Sequence, residues 1–273
     1  MLKLKKKVIE AELVPHLSKG SRGSDIMVGT WRVVRAILYR LKTGCQWREL
    51  PIMGLCNKSI TWESVYYHFR KWVRDGSWRR IWEVLLRLNR HILDMSCVSL
   101  DGSHTLAKQG GQAVAYQHRK KGKTTNMLFL TDNQGILLAC SDPLSGNHHD
   151  CYQIIEAMNT IEHTLRQANL SLEGLFMNAD AGFDAQELRD WAKRKGVHAN
   201  FCINKRNSKN KDREDDYFDE LLYEQRFVLE RTNAWIDGFK ALIIRYEKLA
   251  DVWLNSHYIA FSIIILRKIG YKP

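Results

Sequence analysis

Three acidic side chains stand where a carboxylate needs a physical reason. Asp101 closes the short apolar run Cys97-Val98-Ser99-Leu100, and Asp180 follows Leu175-Phe176-Met177-Asn178-Ala179. A carboxylate held near a core is costly unless something compensates its charge. A divalent metal is the direct compensation, because Mg2+ takes carboxylate oxygens and keeps waters for substrate phosphates. The third acid, Glu230, lies in the pattern Tyr223-x-x-Arg226-x-x-x-Glu230. At about 100° per helical residue, these three side chains share an arc of roughly 60°. One helix face then offers an aromatic ring, a cation and a carboxylate together. The same spacing also describes a plain Arg226–Glu230 surface pair, worth a few tenths of a kcal/mol. The weight therefore rests on two strand-end aspartates combined with a helical glutamate.

The elements that must position these residues follow from pattern. Residues 97–100, 127–130 and 136–140 read as strands, the last two joined by the turn Asp132-Asn133-Gln134-Gly135. Residues 150–168 read as a helix, 175–177 as a strand, 184–195 as a helix and 198–203 as a strand. Two long helices, about 217–247 and 250–268, complete the chain. A hairpin followed by alternating helices and strands predicts a mixed five-stranded sheet with helices on its faces, an α/β (α+β) domain. Functional groups in such sheets gather beyond strand ends, where Asp101 and Asp180 fall.

The first third is different. The chain has 273 residues and a formal charge of +12. Residues 1–95 hold 19 of the lysines and arginines against 8 acids, while residues 96–273 hold 23 against 22. Six of the nine tryptophans also lie before residue 95. Helical spacing runs over residues 30–41, 61–73 and 77–93, with a turn at Asp75-Gly76. The expectation is a basic, all-helical domain over 1–95, helix-turn-helix-like, ahead of a near-neutral domain over 96–273. A basic module points to a polyanion, most often nucleic acid. Arg70, Lys71, Arg74, Arg79 and Arg80 cluster at one helix junction and read as a phosphate-facing surface.

Other features are less specific. The six cysteines are scattered, and Cys140, His148, His149 and Cys151 fit no common zinc spacing. Asn147, His148, His149 and Asp150 at a helix start read as capping and polar filler or as cleft lining. The basic stretches Arg119–Lys123 and Lys205–Arg213 read as phosphate contacts or as solvated loops. The longest apolar run, Tyr258 to Leu266, is far short of the roughly 20 residues that span a bilayer, and the basic N-terminus lacks the apolar core of a signal peptide. A cytoplasmic protein is expected.

Taken together, the sequence resembles the DDE transposases of bacterial insertion sequences, in the insertion-sequence-five group. The resemblance runs through LKTGCQWRELP (41–51), TWESVYYHFRKWVRDGSW (61–78), SLDGSHT (99–105), NADAGFD (178–184) and YEQRFVLERTNAWIDGFKALIIRYE (223–247). It implies a ribonuclease H-like catalytic domain. The family's acids fall on Asp101, Asp180 and Glu230, as catalytic residues and metal ligands, and its DNA-positioning tyrosine and arginine on Tyr223 and Arg226. It implies two Mg2+ ions, with Mn2+ able to substitute. The partners implied are double-stranded DNA at terminal inverted repeats and at target sites, bound by a homodimer, in the bacterial cytoplasm and nucleoid. The family often has a lysine seven residues after the glutamate; this chain has Asp237 there. The implied reaction is hydrolysis at the element's ends, then attack of the freed 3′-hydroxyl on target DNA. The alternatives are a structure-selective ribonuclease H-like nuclease and a catalytically decayed DNA-binding protein.

Overall fold

A computed structural model describes residues 4–19, 28–56, 60–204 and 218–271. The candidate phosphate loop Lys205–Arg213 lies outside them. The chain forms two compact units: residues 1–89, 107–112 and 235–273 make one, and residues 90–106 and 113–234 the other. Compactness thus groups the C-terminal segment with the N-terminal helices.

In the first unit, α1 (Thr30–Thr43) ends at Gly44, whose left-handed φ of 70° lets its N–H reach the Arg40 carbonyl at 2.8 Å. Helix α2 (Trp62–Arg74) is capped by Thr61, whose hydroxyl accepts from the Ser64 N–H. Gly76 (φ 73°) turns the chain into α3 (Ser77–Leu88), which is shorter than the expected 77–93 because Asn89 ends it and a 3-10 turn follows. The C-terminal helix Ala250–Lys268 is buried continuously from Val252 to Leu266. A helix apolar all round must lie inside a core. Trp82 of α3 stacks on its Tyr258, ring centroids 5.2 Å apart, and Phe261 lies 5.1 Å from the same indole. Among the described residues no helix is long and apolar enough to cross a membrane.

The second unit is built on the expected mixed sheet. Strands β1 (Cys97–Ala107), β2 (Ala115–Gln117), β3 (Gly122–Asp132), β4 (Leu137–Cys140), β5 (Leu144–Ser145), β6 (Phe176–Ala179) and β7 (His198–Phe201) follow in chain order. The main path is β2-β3-β1-β6-β7, with β4 and β5 pairing with other stretches of β3. The β1–β3 pair is antiparallel, whereas β1–β6 and β6–β7 are parallel. The short β2 and β5, and the full lengths of β1 and β3, exceed the expected strands; mixed polar runs such as Gly122-Lys123-Thr124-Thr125-Asn126 hide a strand when hydrophobicity is the signal. Helix α4 (Ile154–Gln167) begins four residues later than expected, because Gln153 adopts a left-handed conformation. Helix α5 is Gln186–Arg194.

The expected helix over 217–247 is broken. Glu220–Glu224 forms one turn, Gln225–Phe227 tightens to 3-10, and α6 runs over Val228–Asp237. Gly238 then separates it from a short turn at Lys240–Ile243. Helix α6 docks on the β3–β4 hairpin: the buried Thr232 hydroxyl donates to the Gly135 carbonyl at 2.6 Å. Gly135 has φ 85°, and a Cβ there would lie 2.8 Å from Thr232 Oγ1 and 2.9 Å from the Val228 carbonyl oxygen. Strain and overpacking together put the cost of Gly135→Ala at about 2 kcal/mol. Calorimetry should therefore show a Tm lower by roughly 4–8 °C, and an unchanged Tm would mean the turn does not brace α6.

Candidate active site

The site begins with the period of a β-strand, in which alternate residues share a face. Ser99 of β1 pairs with Asn178 of the parallel β6. Two residues further along each extended backbone stand Asp101 and Asp180, so both carboxylates fall on the Ser99–Asn178 face. Asp180 lies just past β6 with an extended φ of −73° and ψ of 173°, and caps the 3-10 turn Ala181–Phe183 by accepting the Gly182 N–H at 2.8 Å. The second aspartate of the same motif, Asp184, is committed to the fold by Arg189 Nε at 2.8 Å and the Asn204 N–H.

Two buried asparagines bring the third acid to this face. Asn178 pairs with Asn200 across β6 and β7. Asn200 Nδ2 donates to Asn178 Oδ1 at 2.8 Å and to the Asp219 carbonyl at 2.9 Å, and accepts the Asp219 N–H at 2.9 Å. Asn178 Nδ2 donates to the Leu222 carbonyl at 2.7 Å. The ladder fixes residues 219–222 against the sheet, immediately before Tyr223. Sequence reading gave Asn178 no role; its place two residues before Asp180, and hence on the same face, was the available signal.

The result is a cleft of about 310 Å³ lined by Asp101, Tyr223, Arg226, Glu230 and neighbours of α6. The Arg226 guanidinium lies 5.4 Å from the Tyr223 ring centroid, so the pair stacks even though a 3-10 turn interrupts the helix between them and Glu230. Glu230 is exposed. Phe227, 74% exposed, also borders the cleft. Asp180 acts on Asp101 by charge. Among the described residues no three His, Cys, Asp or Glu side chains converge closely enough to hold a metal ion. Asp101 and Glu230 line the cleft, Asp180 shares the sheet face of Asp101, and the three do not close on a point.

Burial pushes the Asp101 carboxyl up to about 6. The Gly102 N–H it accepts at 2.9 Å pulls the other way, Asp180 adds to the rise, and Arg226 opposes it. The fold alone thus leaves this carboxylate undercompensated. Asp101 and Asp180 provide the hard oxygen donors a divalent cation takes, and the pair fits one. Asp150, read from sequence as capping or cleft lining, starts no helix. Its carboxylate accepts from Asn126 Nδ2 at 2.7 Å and stands 3.5 Å from His104 Nε2. It packs over Gly102, where a Cβ would come within 2.3 Å of its Oδ1.

The residues of the basic cluster in the helical unit differ in their partners. Arg79 is paired with Glu83 at 2.7 Å. Arg80 donates to the His16 and Asp75 carbonyls. Arg70, Lys71 and Arg74 line one hollow, with Lys71 donating to the Ser18 carbonyl. Arg119 and Lys120 are exposed between β2 and β3.

Comparison with known proteins identifies the family. The family model for the transposase DDE domain matches residues 92–265, and a model for transposases of the IS4/5 family matches residues 7–82. The chain belongs to the DDE transposase family. That domain implies use of a divalent metal. A curated relative, the insertion element IS402 uncharacterized 16.2 kDa protein of Burkholderia cepacia, is 36% identical over 80 residues, which are 29% of this chain. The match spans about half of that relative, 52% of its length. Among solved structures, the Mos1 transposase paired-end complex with left transposon end is 13% identical with a TM-score of 0.31, covering 93% of this chain and 83% of that one. The Mos1 mariner paired end complex with Mn is also 13% identical, with a TM-score of 0.29, 94% of this chain and 83% of that one. At such scores the assignment rests on the family models.

The raised Asp101 carboxyl sets a pH dependence. In metal-free protein its folded proton affinity exceeds the unfolded value of about 3.9. Between that pH and about 6 the folded state binds more protons, so its contribution to stability falls as pH rises. Asp101→Asn removes this contribution. The Tm advantage of the variant over the parent should widen by a few degrees from pH 4 to pH 7; a constant difference would show that the carboxyl titrates normally.

Proposed function

We propose that this protein is a Mg2+-dependent transposase that binds the terminal inverted repeats of its own insertion sequence, cleaves there and transfers the freed strand to target DNA. The observation that carries the reading is the placement of Asp101 and Asp180 on one sheet face, with Glu230, Arg226 and Tyr223 lining the adjoining cleft. Asp101 and Asp180 would hold the ions, and Glu230 would complete one of the two sites, with Mn2+ as a substitute. Held by these carboxylates, divalent ions would supply Lewis acidity for an in-line displacement at phosphorus.

The chain's own residues do the rest. Arg226 shares the cleft with Asp101, its guanidinium 5.4 Å from the Tyr223 ring centroid, and would offer a phosphate oxygen directed donors beside the reacting carboxylates. Tyr223 would hold that arginine in place and, with it, position the DNA strand. The basic helical region over 1–95 would select the DNA, and the region over 96–273 would cut it. Paired cleavage of two ends favours a homodimer, working in the cytoplasm at the nucleoid. Two observations favour a second reading, a decayed transposase that only binds DNA: the acids do not converge, and Asp237 replaces the usual lysine.

The test is a plasmid carrying the gene's own flanking DNA, incubated with purified protein and Mg2+. Cuts at paired repeats are expected. Asp180→Asn should lower the cleavage rate at least ~1000-fold, a loss of several kcal/mol of transition-state stabilisation, while DNA affinity changes by less than about twofold. Specific binding without cuts would establish the second reading. Asp237→Lys should tighten DNA binding, as removal of like charge beside phosphate requires; unchanged affinity would place that part of α6 away from DNA.

A further inference from the structure

Two adjoining hollows run along α2 in the helical unit. One, of about 920 Å³, is lined by Arg48, Trp62, Tyr66 and Arg70 among others; the second, of about 810 Å³, is lined by Tyr66, Tyr67, Arg70 and Arg74 among others. Tyr66 and Arg70 belong to both. Helical spacing produces this surface: residues 62, 66 and 70 rise one turn apart, as do 67, 70 and 74. Aromatic rings on the first turns of α2 and guanidinium groups on the later ones therefore share one trough.

Several features of the lining point to a ligand. Tyr67 is 64% exposed, a large ring with little packing of its own. The Arg48 guanidinium lies 5.7 Å from the Trp62 ring centroid. Arg70 is mostly buried, yet its Nη1 has no hydrogen-bond partner and its nearest acid, Asp251, is 3.9 Å away. The acids on the lining are largely committed elsewhere: Asp75 accepts from Ser77 at 3.0 Å and from Ser18, and Glu247 is paired with Arg40. Glu63 and the Asp75 carboxylate are the acids on this second hollow, set against Lys19, Arg70, Lys71 and Arg74. A duplex is read by an element that projects into its groove. A concave trough of rings and cations matches nucleotides that have left the stack, whose bases lie on aromatic faces while cations hold the backbone.

We propose that this trough binds a single-stranded DNA segment, with bases stacked on Trp62 and Tyr67 and phosphates held by Arg48, Arg70 and Arg74. The proposal rests on the DNA-cutting reading above and adds the state of the DNA that the helical unit takes. The test is fluorescence anisotropy with the full chain and two labelled probes, a thymine oligonucleotide of about 12 nucleotides and a blunt duplex of about 20 base pairs, a length range set by typical single-strand site sizes. Tyr67→Ala should weaken binding of the single strand by roughly 5- to 100-fold, the loss expected for one stacked base, and leave duplex affinity within about twofold. Tyr67→Phe keeps the ring and should keep the affinity. Because Tyr67 is exposed, a matching Tm will show that both variants fold. Equal losses on the two probes, or no loss on the single strand, would overturn the proposal. So would a parent chain that binds duplex but no single strand. A parent chain that binds neither probe would instead bring down the DNA-handling reading itself.

Discussion

The candidate active site hangs on two buried amides. Asn178 and Asn200 sit side by side on parallel strands, and their hydrogen bonds are spent on one another and on the backbone at Asp219 and Leu222. Amides shut away from water must be satisfied, since a lost partner costs about 1–3 kcal/mol. Apart from a long contact of Asn178 Nδ2 with Cys97 Sγ at 3.7 Å, the described partners of the two amides are each other and the incoming chain, so the segment that follows is fixed in position. It is this segment that delivers Tyr223, Arg226 and Glu230. At its far end, Thr232 fastens α6 to the β3–β4 turn through Gly135. Two polar anchors, one before and one after, hold the glutamate's helix against the sheet.

The sheet supplies the other half of the site by simple alternation. One residue of slip between β1 and β6 would turn Asp101 or Asp180 to the opposite face. The parallel pairing of Ser99 with Asn178 forbids that slip. Gly102 follows Asp101 within β1 without a side chain, because the space one would fill on the opposite face is taken by Asp150. The two faces of one strand are thus specified separately: an acid for chemistry on one, a packed carboxylate with His104 and Asn126 on the other.

Much of this was legible in the sequence, and the parts that were not have physical causes. Apolar runs located the strand segments that lead into Asp101 and Asp180, although β1 runs on past Asp101 to Ala107, and the element order gave the mixed sheet. Spacing brought Tyr223, Arg226 and Glu230 to one cleft although the helix expected to carry them breaks at Gln225–Phe227. Hydrophobic period does not register a 3-10 turn, whose residues are as polar as a helix surface. The polar strands β2 and β5 escaped for the same reason. Local alternation places Asn178 on the Asp180 face, but its bond to Asn200 depends on a pairing 22 residues apart, which no local pattern reveals. The basic residues at the α2–α3 junction looked alike in sequence; folding commits Arg79 to Glu83 and Arg80 to backbone carbonyls, and leaves Arg70, Lys71 and Arg74 around a hollow.

The central claim is that Asp101 and Asp180 form one cation site on one sheet face. The most direct measurement is an anomalous difference map from crystals of the protein soaked in Mn2+. The account predicts a peak between the Asp101 and Asp180 carboxylates, with Glu230 turned toward it, and no peak there in Asp180→Asn. Manganese bound away from these two residues, or a peak that survives the substitution unchanged, would contradict it.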